Sequence, residues 1–179
     1  MKQHKTLAFE LKSLSEAGIF AGYASVFGVL DSQSDIIHHG AFKQTIAKRK
    51  AEIKLLWQHD MKQPIGVIEQ LYEDANGLYI QGRLMINQVA KAAEAYDLIK
   101  NGVVEGLSIG YNVVRQHCDE QKNIRHIYQV DLWEVSLVTF PANSSAKITV
   151  IKGCNIPAHH NELHQLDYAL DKALVALQS

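Results

Sequence analysis

Three residues in this chain, His59, Ser108 and Glu134, have side chains that could together carry out acyl transfer. A serine hydroxyl is a weak nucleophile near neutral pH and needs a general base within hydrogen-bond reach. Histidine suits that role because it can accept a proton and return it near neutral pH. A carboxylate behind the imidazole would fix its tautomer and stabilise the imidazolium as it forms. The residue types therefore indicate hydrolysis with Ser108 as nucleophile, His59 as base and Glu134 as third member.

Glu134 is the most informative of the three because of its surroundings. It lies in an apolar segment, residues 133–143, that is typical of a β-strand and is ended by Pro141. An ionised group in such a strand is unfavourable unless another group pairs with it. We therefore expect a partner for Glu134, and the imidazole of His59 fits.

The segments around the other two residues allow simpler interpretations. Ser108 lies within the apolar run 104–110 and could be an ordinary strand residue, while His59 ends the run 55–59 and could be a turn residue. The glycines that flank Ser108, Gly106 and Gly110, predict close approach of a substrate backbone. Ser136 is a rival serine on the same strand face as Glu134, and we expect it to support the site by hydrogen bonding.

The oxyanion of the reaction would need backbone N–H donors. Those around Ile109 and Gly110, or in the loop 141–143, are the candidates. For the Asn143 side chain we favour a role in capping the turn after the strand.

The elements that must position these residues are mostly strands. Alternating or apolar runs predict strands over residues 7–11, 19–27, 53–57, 65–72, 78–86, 103–114, 124–138 and 148–151. Residues 74–77, Asp-Ala-Asn-Gly, predict a hairpin turn that uses positive φ, and residues 31–37 predict a polar loop. Helices are predicted over 41–49 and 88–100, the second with Asn87 as N-cap and Gly102 beyond its end.

The chain after residue 152 changes character. Leucines at positions 163, 166, 170, 174 and 177 recur at helical spacing and predict an amphipathic helix. We therefore divide the chain into a domain over residues 1–152 and a helical tail over 153–179. The tail packs its leucines on the domain or offers them to a partner.

Composition excludes several functional classes. The net charge of −1 offers no basic face for nucleic acid, and no apolar run is long enough for a membrane span. Cys118 and Cys154 stand far apart in no CxxC spacing, which favours reduced thiols in a cytoplasmic protein. His38 and His39 with His59, or His117 and Cys118 with His126, lack a recurrent metal-ligand spacing, so we expect neither metal nor other cofactor.

Several short segments in a fixed order resemble the prohead (head maturation) proteases of tailed phages, a serine peptidase family related to herpesvirus assemblin. They are residues 22–27, 35–42, 56–60, 64–66, 106–111 and 133–143. The resemblance implies a mainly β fold with some α structure (α+β), a herpesvirus-protease-like β-barrel with flanking helices. It also implies the roles assigned above to His59, Ser108 and Glu134, although assemblin-like proteases have a second histidine where Glu134 stands.

The resemblance also implies the substrate of the protein and the place where it acts. A serine endopeptidase of this kind would cleave the scaffold or delta segment of the major capsid precursor, and then itself, inside the assembling prohead in the bacterial host cytoplasm. The gene could belong to a phage or a prophage, and the protein could form a homo-oligomer. The alternative is a catalytically silent capsid-assembly or scaffold-binding module that keeps the protease fold.

Overall fold

The structure is a computed structural model that describes residues 18–151. It contains eight strands, two α-helices and one short 3₁₀ helix. The strands are β1 (Ile19–Val26), β2 (Asp35–Ile37), β3 (Lys54–Trp57), β4 (Asp60–Glu73), β5 (Gly77–Leu84), β6 (Gly106–Asp119), β7 (Ile124–Val138) and β8 (Ile148–Ile151). The helices are α1 (Lys43–Arg49), the 3₁₀ turn Lys50–Glu52 and α2 (Ala90–Lys100).

All eight strands belong to one curled sheet. From one end to the other its strands run β6, β7, β3, β4, β5, β1 and β8, and β2 continues the β3 edge of β7. Backbone hydrogen bonds from Leu107 to the Ala146 carbonyl and from Ile148 to the Glu105 carbonyl join the start of β6 to the start of β8. The two ends of the sheet therefore meet, which confirms the predicted mainly β barrel.

β7 is the strand on which the rest of the site depends. It pairs antiparallel with β6 along one edge, and on the other edge it pairs in parallel with β2 near its start and β3 near its end. Val135 and Leu137 point into the core, so Glu134 and Ser136 lie on the opposite face. This alternation places Glu134 and Ser136 on the outer face of the sheet.

The helices close the ends of the barrel. α1 packs on β4 and β7, and α2 packs on β4 and β5. Ala92, Ala95 and Ile99 are the buried residues of α2. No helix within residues 18–151 is long and apolar enough to cross a membrane.

Several predicted element boundaries need correction. The predicted loop 31–37 contains strand β2, because Asp35, Ile36 and Ile37 pair in parallel with the start of β7. α2 begins at Ala90 after Val89, with no side-chain cap from Asn87. Gly102 has φ +69° just beyond the helix end, as its predicted role requires.

The hairpin between β4 and β5 forms as predicted but by another mechanism. Asn76 and Gly77 do not have positive φ. Instead, Asp74 Oδ1 accepts hydrogen bonds from the Asn76 N–H (2.7 Å) and the Gly77 N–H (3.0 Å). Glycine is needed at 77 because a Cβ there would overlap the backbone carbonyl of Ser25.

Two predicted elements and the domain boundary lie outside the described residues. They are the strand over 7–11, the leucine-rich helix of the tail, and the division between 1–152 and 153–179. They stay predictions.

Candidate active site

The hairpin turn between β3 and β4 carries His59 to the outer face of the barrel. Trp57 and Asp60 pair across the turn, and its two central residues, Gln58 and His59, have φ of 52° and 60°. Positive φ at both central positions is the pattern of a type I′ turn, which usually contains Asn and Gly. Each non-glycine residue in this region costs on the order of 1–2 kcal/mol, so the turn needs stabilising contacts.

Hydrogen bonds to the end of β7 supply those contacts. The N–H of Gln58 donates to the Leu137 carbonyl (2.9 Å), and the N–H of His59 donates to Ser136 Oγ (3.1 Å). The Gln58 side-chain amide donates to Thr139 Oγ1 (2.9 Å) and accepts from the Thr139 N–H (3.4 Å). The turn is therefore fastened to β7 at both central residues.

His59 and Glu134 form the central contact of the site. His59 Nδ1 lies 2.6 Å from Glu134 Oε1, so the carboxylate that the sequence leaves without a partner pairs with the imidazole. With the Nδ1 proton directed at Glu134, Nε2 carries the lone pair of the neutral ring. The hydrogen bond to Glu134 raises the pKa of His59 above its usual 6.5, against burial, which lowers it.

Ser136 holds the second oxygen of the same carboxylate. Its hydroxyl donates to Glu134 Oε2 at 2.6 Å and accepts the His59 N–H. Ser136 is completely buried, does not line the cleft that contains Ser108, and already uses its hydroxyl in these two contacts, so it is unavailable to a substrate. The structure thus confirms the hydrogen-bonding role predicted for Ser136 and argues against it as the rival nucleophile.

Ser108 lies on the same face of the sheet, directly opposite Ser136 in the β6–β7 pair. Opposed residues in antiparallel strands have Cβ atoms about 4.5–5.5 Å apart on the same side. Ser108 is 7% exposed and, with His59, lines a cleft of about 790 Å³. The three residues predicted from the sequence therefore lie in one site.

The glycines beside Ser108 serve packing within the protein, which corrects the prediction that they admit a substrate backbone. A Cβ on Gly110 would overlap the carboxylate of Glu134. A Cβ on Gly106 would crowd the Val138 carbonyl and the Pro141 ring. Sequence reasoning missed the Gly110–Glu134 relationship because it depends on the register of two strands.

The loop after β7 forms another wall of the cleft. Phe140, Ala142 and Asn143 line it, and the Phe140 ring is 89% exposed. Asn143 Oδ1 accepts the Ser145 N–H (3.1 Å) and its Nδ2 donates to the Val26 carbonyl (2.9 Å). The structure confirms the predicted turn-capping role of Asn143 and shows that its side chain also fastens this loop to β1.

An ion pair between a buried carboxylate and a partly exposed guanidinium also lines the cleft. Asp35, which lies in the predicted polar loop 31–37, is only 1% exposed and pairs with Arg125 through two hydrogen bonds of 2.7 and 2.5 Å. Tyr111 also donates to Asp35 (3.2 Å), and burial together with this carboxylate raises the pKa of the tyrosine. The prediction failed because the partner of Asp35 is distant in sequence. Asp31 does cap its own turn, since Oδ1 accepts the N–H groups of Gln33 and Asp35.

The histidines considered as metal ligands do not converge on an ion. His38 Nε2 and His126 Nδ1 hydrogen-bond to each other at 2.9 Å, while His59 is engaged by Glu134. Burial lowers the pKa of His38, and His126 adds to the effect. Within the described range no group of three or more His, Cys, Asp or Glu side chains could hold a metal ion.

The sequence of this chain is similar to those of several known proteins. Residues 6–159 match the family model of the caudovirus prohead serine protease. The chain is 37% identical over 155 residues to the prohead protease of Enterobacteria phage HK97, covering 83% of this chain and 68% of that protein. It is 30% identical over 149 residues to the prohead protease of Escherichia phage T5, covering 81% of this chain and 69% of that protein.

A capsid polyprotein of Pseudomonas phage PAJU2 is also related, with 30% identity over 150 residues. The match covers 80% of this chain and 21% of the polyprotein.

Two solved structures share the fold at low sequence identity. The capsid assembly protease of bacteriophage T4 has a TM-score of 0.51 and 14% identity, over 67% of this chain and 82% of that one. The KSHV protease bound to a hexapeptide phosphonate inhibitor has a TM-score of 0.51 and 9% identity, over 89% of this chain and 92% of that one. This similarity shows a herpesvirus-protease-like fold, in agreement with the prediction.

Proposed function

This chain belongs to the caudovirus prohead serine protease family and is a protease of phage head maturation, and on that premise we propose that it is a serine endopeptidase with Ser108 as nucleophile. His59 is the general base and Glu134 orients it. The observation that carries the proposal is the 2.6 Å contact between His59 Nδ1 and Glu134 Oε1, on the sheet face that also bears Ser108.

The reaction follows from this arrangement. Nε2 of His59 takes the proton of Ser108 as Oγ attacks the scissile carbonyl, and the resulting imidazolium stays paired with Glu134. Backbone N–H groups around Ile109 and Gly110, or in the loop 141–143, would stabilise the oxyanion. His59 then protonates the departing amine, and a water activated by the same imidazole hydrolyses the acyl-enzyme.

The electrostatics of the site support a role for His59 in both acylation and deacylation. The hydrogen bond that His59 donates to Glu134 raises the pKa of His59, which means that the imidazolium formed during attack is stabilised. Because the imidazole is half-exposed in the cleft, it can reach both a peptide and a water. Ser136 keeps the carboxylate in place while the charge on the ring changes.

The substrate we propose is the scaffold or delta segment of the major capsid precursor, followed by the protease itself. The names of the related proteins, prohead protease and capsid polyprotein, support a capsid substrate. The site of action is the interior of the assembling prohead in the bacterial cytoplasm. Association into a homo-oligomer, or contact of the tail helix over residues 153–179 with capsid protein, would serve packaging.

Co-expression with the capsid precursor tests the proposal. Intact mass measurement should show a shortened precursor with the wild type and an uncut precursor with Ser108→Ala. Ser144→Ala, which alters an exposed serine outside the cleft lining, is the matched control and should process normally. Equal processing by the Ser108→Ala variant would refute the nucleophile. Particles assembled around an uncut precursor by every variant, wild type included, would favour the catalytically silent assembly module.

A further inference from the structure

Ser25 carries a buried hydroxyl beside the cleft that the catalytic scheme does not use. Ser25 lies on β1, is 1% exposed, and lines the same cleft as Ser108 and His59. Its Oγ has no hydrogen-bond partner among the described residues. Buried hydroxyls in folded proteins are almost always paired, so this atom calls for an explanation.

Ser25 differs in this respect from two other buried residues with hydroxyl groups. Two other buried hydroxyls are paired: Thr45 Oγ1 accepts the Leu132 N–H, and Ser136 bonds with Glu134 and His59. Within residues 18–151, Ser25 is the one residue that both lines the cleft and has a buried side-chain atom without a hydrogen bond. The group that would pair with it therefore enters through the cleft.

The position of Ser25 is fixed from two sides. The backbone carbonyl of Ser25 packs so closely on Gly77 of β5 that a Cβ there would overlap it. The next residue, Val26, accepts a hydrogen bond from Asn143, which lies in the loop that forms the cleft wall. Because β1 is held on both sides, the hydroxyl cannot turn away to another partner by a backbone shift.

The other cleft residues indicate what kind of group would pair with the hydroxyl. Apolar side chains, among them Ala24, Ile37 and Leu107, line the cleft together with Ser25. The buried charge of Asp35 is already satisfied by Arg125. The neutral Ser25 hydroxyl itself offers no counter-charge, which disfavours a charged group that would lose its hydration on binding there.

We propose that Ser25 is a specificity-determining residue whose hydroxyl hydrogen-bonds an uncharged polar side chain of the bound peptide, a serine, threonine, asparagine or glutamine close to the scissile bond. The inference rests on the proposed function, since the peptide must occupy the cleft that contains Ser108. It deepens that function by naming the class of substrate side chain that one subsite selects.

The test compares cleavage of a peptide library, varied at each position around the scissile bond, by the wild type and by Ser25→Ala. At one position the variant should lose about fivefold to tenfold in kcat/KM for the uncharged polar residues, the size of one neutral hydrogen bond. Peptides with alanine or valine at that position should be cleaved as before. Thr149→Val is the matched control, because this hydroxyl bonds to Ala21 on β1 and lies outside the cleft lining; its cleavage profile should equal that of the wild type.

Thermal unfolding of the same variants without substrate supplies a readout independent of catalysis. Ser25→Ala removes an unpaired buried hydroxyl and should unfold at the wild-type temperature or above it. Thr149→Val removes a paired one and should unfold at a lower temperature.

The outcomes separate the two claims. A wild type that cleaves while Ser25→Ala keeps the same profile, or loses activity equally on every peptide, overturns the specificity role alone. A marked drop in the unfolding temperature of Ser25→Ala also overturns it, since the hydroxyl is then already paired in the free protein. A wild type that cleaves no more than Ser108→Ala overturns the proposed function and this inference together.

Discussion

Gly110 lies directly opposite Glu134 in the β6–β7 pair, and the Glu134 carboxylate occupies the space that a Cβ at position 110 would need. The strand that carries the proposed nucleophile therefore also makes room for the residue proposed to orient the base. Ser108 and Gly110 lie two residues apart on β6, and their partners Ser136 and Glu134 lie two residues apart on β7. Ser108 therefore faces Ser136 where Gly110 faces Glu134.

Gly110→Ala should reduce catalysis by displacing the Glu134 carboxylate from His59. We expect kcat on a peptide substrate to fall roughly a hundredfold, because displacements of about 1 Å cost that much in aligned sites. A double-mutant cycle isolates the cause: in a Glu134→Ala background, Gly110→Ala should add almost nothing. Independent losses that simply multiply would show that the glycine acts through some other contact.

Glu134→Gln should lower kcat and shift the acidic limb of the kcat/KM profile to lower pH. His59 acts as a base only when neutral, so kcat/KM rises with pH through the pKa of His59, which Glu134 raises above 6.5. Without the charge of Glu134 that pKa falls, and the acidic limb of the profile should shift to lower pH while kcat drops by about 10²–10⁴-fold. An acidic limb that stays at its wild-type pH would mean that Glu134 does not set the pKa of His59.

The contribution of His59 to stability should also depend on pH. Because the folded pKa is raised, the contribution is fully present below the unfolded pKa of 6.5 and is lost as the pH rises through the folded value. The difference in unfolding free energy between the wild type and His59→Gln should therefore shrink as the pH rises from below 6.5 through the raised pKa of folded His59. The imidazole is partly exposed, so solvent screening keeps the effect small. Denaturant unfolding across that range measures it, and a constant difference would contradict the assignment.

Ser136→Ala should lower the free energy of unfolding more than Ser108→Ala does. Ser136 is buried and satisfies both a Glu134 oxygen and the His59 N–H, so its removal leaves buried polar groups unpaired. We expect a loss of about 1–3 kcal/mol in unfolding free energy, together with a lower kcat. Ser108→Ala should stay within about 0.5 kcal/mol of the wild type while losing activity. If the two variants were equally stable, Ser136 would not hold the carboxylate as described.

The residue types of the site and the bounds of β7 could be predicted from the sequence for physical reasons, whereas β4 and β6 have bounds that differ from the predicted 65–72 and 103–114. β7 was predicted with its observed bounds because fifteen residues of β-prone, alternating sequence have no other favourable structure. Glu134 was identified because a carboxylate in that setting needs a partner.

Features that depend on tertiary contacts could not be predicted in the same way. The three residues of β2 form a strand only because they pair in parallel with β7. The partnership of Asp35 and Arg125 joins distant parts of the chain. The left-handed turn at Gln58 and His59 contradicts local preference and is stabilised by contacts with β7. Each of these requires knowledge of the register or the packing.

The most direct measurement of the central claim is covalent labelling with a fluorophosphonate, followed by peptide mass mapping. Attack by an activated serine forms a bond from Oγ to phosphorus and expels fluoride, so the label marks the nucleophile itself. We predict a single adduct on the peptide that contains Ser108, no adduct in Ser108→Ala, and a much slower reaction in His59→Gln. An adduct on another serine, or an active enzyme whose Ser108 stays unlabelled, would contradict the assignment.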